Sequence, residues 1–266
     1  MSADEKFATH AGTGLTPLRE YTSARLSLGR MGAAVSTREQ LRFQLDHALA
    51  RDAVHAALDV AAISLGLRER GLEAFVLRSA ADVQNGSSNR GVYLRRPDLG
   101  RRLHADFRQA LLDRAKAAST KPDVVFVIAD GLSALAVERH ALPLLEEVLR
   151  RIDREHVVVG PVCVVTQARV AIGDEIGQLL GAKMVVLLIG ERPGLSSPDS
   201  LGVYLTWEPK VGRSDAERNC VSNVRDEGLG YAEAAERILG LMVGARALGA
   251  SGVGLKDGAV VPERLG

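Results

Sequence analysis

"KMVVLLIGERPGL", residues 183–195, sets an apolar run directly against an acid, a base, a proline and a glycine. A strand this apolar on both faces belongs to a parallel sheet covered by helices on either side. Pro193 and Gly194 then make a bend, so Glu191 and Arg192 stand at the tip of the strand. The carboxyl ends of parallel strands are where open α/β sheets bind small molecules.

The segments on either side extend the pattern. "VVFVIAD" (124–130), "HVVVGPVCVV" (156–165) and "GVYLTW" (202–207) read as further strands. A helix follows residue 130 with Ser133 as its N-cap, and Pro143 is expected to restart it. "GDEIGQLLGA" (173–182) is a short helix closed by Gly181, and residues 231–248 form an amphipathic helix. The fold class is α/β: a Rossmann-like, mostly parallel sheet flanked by helices, carrying a helical N-terminal extension.

The first 120 residues are less regular. Residues 1–20 mix Gly, Thr and charge without periodicity and read as a flexible tail. From Thr37, a candidate N-cap, Leu41, Leu45, Ala48 and Leu49 form a helical stripe expected to pack in the core. Residues 72–79 and 91–95 suggest short strands around a polar loop. Pro97 and Asp98 open a helix with Leu99, Leu103, Phe107 and Leu111 on one side. The division expected is a tail (1–20), a mainly helical region (21–120) and a Rossmann-like domain (121–266).

Composition narrows the function. With 266 residues, 46% hydrophobic and 25% charged, the chain is an ordinary globular protein, and a net charge of +1 gives no electrostatic reason for a nucleic-acid or membrane partner. Cys163 and Cys220 form no CxxC pair, the N-terminus has no apolar signal core, and no run approaches a membrane span, which favours a cytoplasmic protein. Three G-x-G triplets occur, yet Pro17, Glu233 and Asp257 stand where a dinucleotide fingerprint needs its third glycine. Gly-Lys is absent, which removes the P-loop. The six histidines show no metal-ligand spacing.

Two residues keep two readings each. Asp130 of "IADGLS" is a turn acid or a ligand neighbour, and Cys220 of "ERNCVSN", placed between a strand and the final helix, is a small buried residue or part of a site. No base beside Cys220 marks it as a nucleophile.

Several stretches together resemble the small, or light, subunit of ethanolamine ammonia-lyase: "LRFQLDHALARDAVH" (41–55), "YLRRPDLGRRL" (93–103), "VFVIADGLSA" (125–134), "ARVAIGDEIGQLLGAK" (168–183), "VVLLIGERPGLSSPDSLGVYLTW" (185–207) and "AERNCVSNV" (216–224). The resemblance implies a subunit that docks onto a large TIM-barrel subunit, with adenosylcobalamin at the interface. The large subunit would hold ethanolamine and the reacting groups, so no catalytic residue is expected here. By the family pattern Val170, Glu191 and Cys220 correspond to cobalamin-contacting positions. Arg192 is left between pairing with Glu191, meeting a phosphate and crossing to the partner. The corrinoid is expected base-on, because no histidine here has Asp two residues before it, as the histidine-ligating motif requires. Packaging inside a bacterial microcompartment stays open.

Overall fold

The computed structural model of the chain describes residues 30–31, 34–82, 90–152 and 156–255, and the tail expected over residues 1–20 lies outside them. A two-stranded hairpin (β1, Arg30–Met31; β2, Ala34–Val35) precedes helices α1 (Thr37–His55) and α2 (Val60–Glu69). Strand β3 (Ala74–Arg78), helices α3 (Arg90–Arg95), α4 (Pro97–Gly100) and α5 (Ala105–Ala117), and strand β4 (Val124–Ala129) follow. The remainder is α6 (Ala134–Arg151), β5 (Val162–Thr166), α7 (Ile172–Leu180), β6 (Met184–Gly190), β7 (Leu201–Trp207), β8 (Arg218–Val224) and α8 (Tyr231–Leu248).

Six strands form one sheet in the order β3-β5-β4-β6-β7-β8. The first four are parallel; β7 is antiparallel to β6, and β8 to β7. The turn of direction at β7 has a simple cause. Residues 191–200 join β6 to β7 without a helix, and a parallel return needs a crossover of about a dozen residues or more.

Every residue of β4 and β6 is buried, because helices cover both faces. On one face Phe126, Ile128, Val186 and Leu188 pack with residues of α6 and α8, including Leu144, Val148, Ile238 and Leu241. On the other, Val127, Val185 and Leu187 pack with Leu111 of α5 and Ile172 and Ile176 of α7. The expected α/β architecture with a mostly parallel sheet is therefore present, and β3 shows that the sheet also draws on residues before 121.

Five local expectations change. Residues 91–95 are helical, because a three-residue spacing turns both Arg90 and Tyr93 into the buried end of the sheet. The single helix expected after Pro97 breaks: Leu103 bridges to Ser79 and gives its N–H to Glu175, and His104 then caps α5. Ser36, not Thr37, caps α1. The stripe on α1 is not core, since Leu41, Leu45 and Leu49 are 60%, 59% and 50% exposed. Helix α6 runs unbroken through Pro143, held by a long buried face. Among the described residues no helix is long and apolar enough to cross a membrane.

Candidate functional site

The carboxyl ends of β4, β5 and β6 meet the loops that follow them. The tips of β4 and β6 approach so closely that a Cβ on Gly190 would lie 2.0 Å from the Ser133 carbonyl oxygen. Gly131, at φ +56°, makes the complementary turn, and the Leu132 N–H donates to the Gly190 carbonyl at 2.9 Å. Two glycines are needed here, one for space and one for a left-handed backbone.

Asp130 has the structural one of its two roles. Its carboxylate accepts from the backbone N–H groups of Gln167 and Ala168 at 2.9 and 3.0 Å, and from Arg90 at 3.0 Å. Arg90 also donates to the carbonyls of Val54 and Gly131. Burial pushes the Asp130 carboxyl up, against the pull of Arg90 and those N–H groups. With both partners almost wholly enclosed, this pair ties α3 to the β4 and β5 tips and does not face a ligand. Tyr93 completes the tie: its hydroxyl lies 2.8 Å from the carbonyl oxygens of both Gly131 and Ala168.

A cleft of about 450 Å³ opens beside this frame. Its walls include Tyr93, Arg169 and Val170 on one side and Glu191, Arg192 and Ser222 on the other. Val170 lies in the β5–α7 connection, half-buried, one residue before the Ala171 N-cap. Helix α7 is pinned beneath it, as Asp174 pairs with buried Arg218 of β8 and Glu175 accepts from Leu103 N–H and Arg108, both at 2.7 Å.

Glu191 turns toward β8. Its Oε1 accepts from the Ser222 hydroxyl at 2.5 Å; its Oε2 accepts from the Ser200 hydroxyl and, at 3.4 Å, from the Asn223 N–H. The 191–200 loop is fixed further along, where the Ser133 hydroxyl donates to the Pro198 carbonyl at 2.8 Å while capping α6. Asp199 pairs with Arg139 at 2.7 Å. Burial works upward on the Asp199 carboxyl, but Arg139 and His140 together hold it below the usual range. Arg192 is exposed and forms no ion pair with Glu191, whose oxygens serve Ser200, Ser222 and Asn223.

Cys220, placed by the sequence only between a strand and the final helix, lies on strand β8 and is exposed, which corrects its reading as a small buried residue. It stands opposite Tyr204 in the β7–β8 register, so the two share a face of the sheet. Tyr204 lines the cleft. Burial, then Cys220 and Glu191, push the Tyr204 phenol well above its ordinary range. The structure thus brings Val170 and Glu191 to one cleft and sets Cys220 at its flank. Sequence reasoning missed Arg90, Tyr93 and Arg169. Their only advance signal was the three-residue spacing of Arg90 and Tyr93.

Fold and cleft together define an α/β domain that presents an open cleft of mixed polar and apolar lining, with no cluster suited to a metal ion among the described residues. Residues 13–256 match the family described as ethanolamine ammonia-lyase light chain (EutC). The chain is 56% identical over 245 residues to the ethanolamine ammonia-lyase small subunit of Pseudomonas aeruginosa, covering 92% of this chain and 88% of that one. The small subunit from Pseudomonas syringae pv. tomato is 57% identical over 240 residues (90% and 82%), and that from Azotobacter vinelandii 54% over 244 (92% and 88%). The chain belongs to the ethanolamine ammonia-lyase small-subunit family.

Proposed function

We propose that this chain supplies one wall of an adenosylcobalamin site at the interface with an ethanolamine ammonia-lyase large subunit. The observation that carries the reading is the Glu191 carboxylate, fixed at the lip of an open cleft with acceptor capacity to spare. A carboxylate has about four lone-pair sites, and three are used by Ser200, Ser222 and Asn223. The remaining one lies on Oε1 and suits an amide N–H of the corrin periphery, a bond strengthened by the charge.

The rest of the donor set fits the group. Val170 and Cys220 offer small surfaces to a broad flat ligand, and Tyr204 extends that surface between cleft and flank. A corrinoid is larger than this cleft, and in this reading the large subunit supplies the opposite wall. Base-on binding is part of the reading, since the chain has no Asp-x-His motif with which to replace the cofactor's own base. The chemistry that adenosylcobalamin supplies when bound is homolysis of its cobalt–carbon bond, starting a radical conversion of ethanolamine to acetaldehyde and ammonia. This chain binds and orients: Glu191 fixes the edge of the ligand, and the loop braced by Ser133, Arg139 and Ser200 fixes Glu191.

Within the proposal, residues 21–120 contact the large subunit, chiefly through the exposed leucines of α1, and residues 121–266 carry most of the corrinoid wall. The complex works in the cytoplasm, either free or packaged in a microcompartment. The test is reconstitution. The purified chain alone should form no acetaldehyde, and adding the large subunit with adenosylcobalamin should restore it; turnover by the isolated chain would overturn the reading.

A further inference from the structure

The geometry points to Arg169 as a second recognition residue: we infer that its guanidinium receives the carbonyl oxygen of a corrin side-chain carboxamide, in the same cleft in which Glu191 receives amide N–H. This rests on the cobalamin reading above.

Arg169 is held in place without being used up. Its guanidinium carbon sits 4.3 Å from the centre of the Tyr93 ring, and Arg90 sits 4.4 Å from the same ring. Tyr93 is buried and anchored through its hydroxyl beside two carbonyl oxygens, so the platform under Arg169 is rigid. The backbone is equally fixed, with Arg169 N–H donating to the Gly100 carbonyl at 2.7 Å and its own carbonyl accepting from Ile172. Yet the side-chain Nε is buried and has no hydrogen-bond partner among the described residues. Arg90 differs sharply, since its nitrogens are spent on Val54, Asp130, Gln167 and Gly131.

Buried donors in folded proteins find acceptors. Nε is closed to solvent and so to a ligand oxygen as well, but its lack of a partner shows a guanidinium not satisfied from within the described residues. The half-buried Arg169 side chain lines the cleft, where the remaining nitrogens of the fork can take a ligand oxygen. A planar guanidinium presents several donors in a fixed fork and suits an oxygen with two lone pairs. The cleft's opposite charge selects which oxygen. A carboxylate would meet the Glu191 charge across the same space, whereas a neutral carboxamide presents N–H to Glu191 and C=O to Arg169. The corrin periphery carries such amides. Its nucleotide loop also carries a phosphodiester, an oxygen acceptor of another kind, and the test separates the two.

The assembled large–small complex is titrated with cyanocobalamin and with dicyanocobinamide, which lacks the nucleotide loop and its phosphodiester. Wild type, Arg169→Gln and Arg169→Lys are compared, together with the thermal midpoint of each cofactor-free complex. Arg169→Gln should weaken both corrinoids by about 10- to 100-fold, Arg169→Lys should fall between it and wild type, and the midpoints should agree. Should the Gln variant melt early, Arg169→Lys, which keeps a cation over Tyr93, carries the comparison and must still lose affinity for both. Binding within twofold of wild type overturns the inference. So does a loss seen with cobalamin and absent with cobinamide, which would assign Arg169 to the phosphodiester. Failure of the wild-type complex to bind either corrinoid would instead overturn the proposed function itself.

Discussion

Replacing Glu191 separates what it does for the chain from what it does for a ligand. In Glu191→Ala three donors lose their acceptor, and they do not suffer equally. Ser222 and Asn223 are exposed and rehydrate, while Ser200 is 6% exposed and leaves a buried hydroxyl unpaired. An unpaired buried group costs about 1–3 kcal/mol, and each kcal/mol lowers the midpoint of a chain this size by about 2–4 °C. Glu191→Gln should avoid that cost. Its amide oxygen takes the Oε2 position and still accepts from Ser200 and Asn223, while its nitrogen takes the Oε1 position and donates to the Ser222 hydroxyl. What Gln loses is the acceptor on Oε1 assigned to the proposed ligand. A hydrogen bond to a charged group contributes about 1.5–3 kcal/mol and a neutral one about 0.5–1.5. Glu191→Ala loses that charged bond, and so does Glu191→Gln, whose nitrogen at the Oε1 position cannot accept; both should bind cobalamin roughly 10- to 100-fold more weakly in the assembled complex, Glu191→Gln with an unchanged melting curve. Calorimetric melting and cobalamin titration check both arms. Wild-type affinity in both variants would remove Glu191 from the cofactor site, and early melting of the Gln variant would contradict the exchange of roles described for its amide.

Leu45→Asp should leave the isolated chain as stable as wild type, because Leu45 is 59% exposed, but should sharply reduce co-purification with the large subunit if α1 is the gripping arm; pull-down after a melting control decides. Maleimide should label one thiol of the native chain, exposed Cys220, since Cys163 is buried with its thiol pushed up to about 12; protection of Cys220 on assembly with cobalamin is expected, and labelling at an unchanged rate would place it outside the interface. Glu217 accepts from the Ser214 N–H, Arg213 and the Ser214 hydroxyl, which lower its carboxyl from 4.5 to about 2. The turn it caps should keep its full benefit above the unfolded value and lose it as pH falls through about 2; an NMR titration of Glu217 with a midpoint near 4.5 would refute this.

The parts legible in the sequence were those decided by burial alone. Strands β4 and β6 announce themselves because each of their residues is enclosed and apolar or small. Strand β8 did not, because it opens on buried Arg218, which is held by Asp174 of α7, 44 residues away in the chain, together with Asp215 and the Arg213 carbonyl. Residues 90–95 contain Val92, Tyr93 and Leu94, which favour a strand locally; contacts of Arg90 and Tyr93 with the β4 and β5 tips override that preference. The α1 stripe was read correctly as a helix and wrongly as core, since periodicity reports an apolar face without saying what covers it. At the site, the bend after β6 pointed to Glu191 from the residues alone, while Val170 and Cys220 rested on resemblance. The Tyr93–Arg169 stack joins residues that no local pattern links.

In the proposed complex this chain completes the corrinoid bed, which is not the large subunit's alone. Equilibrium titration of cobalamin against the large subunit alone, this chain alone and their mixture measures it directly. Tight binding should appear only in the mixture, at a stoichiometry set by the assembled complex. Equal affinity of the large subunit with and without this chain would remove this chain from the cofactor site.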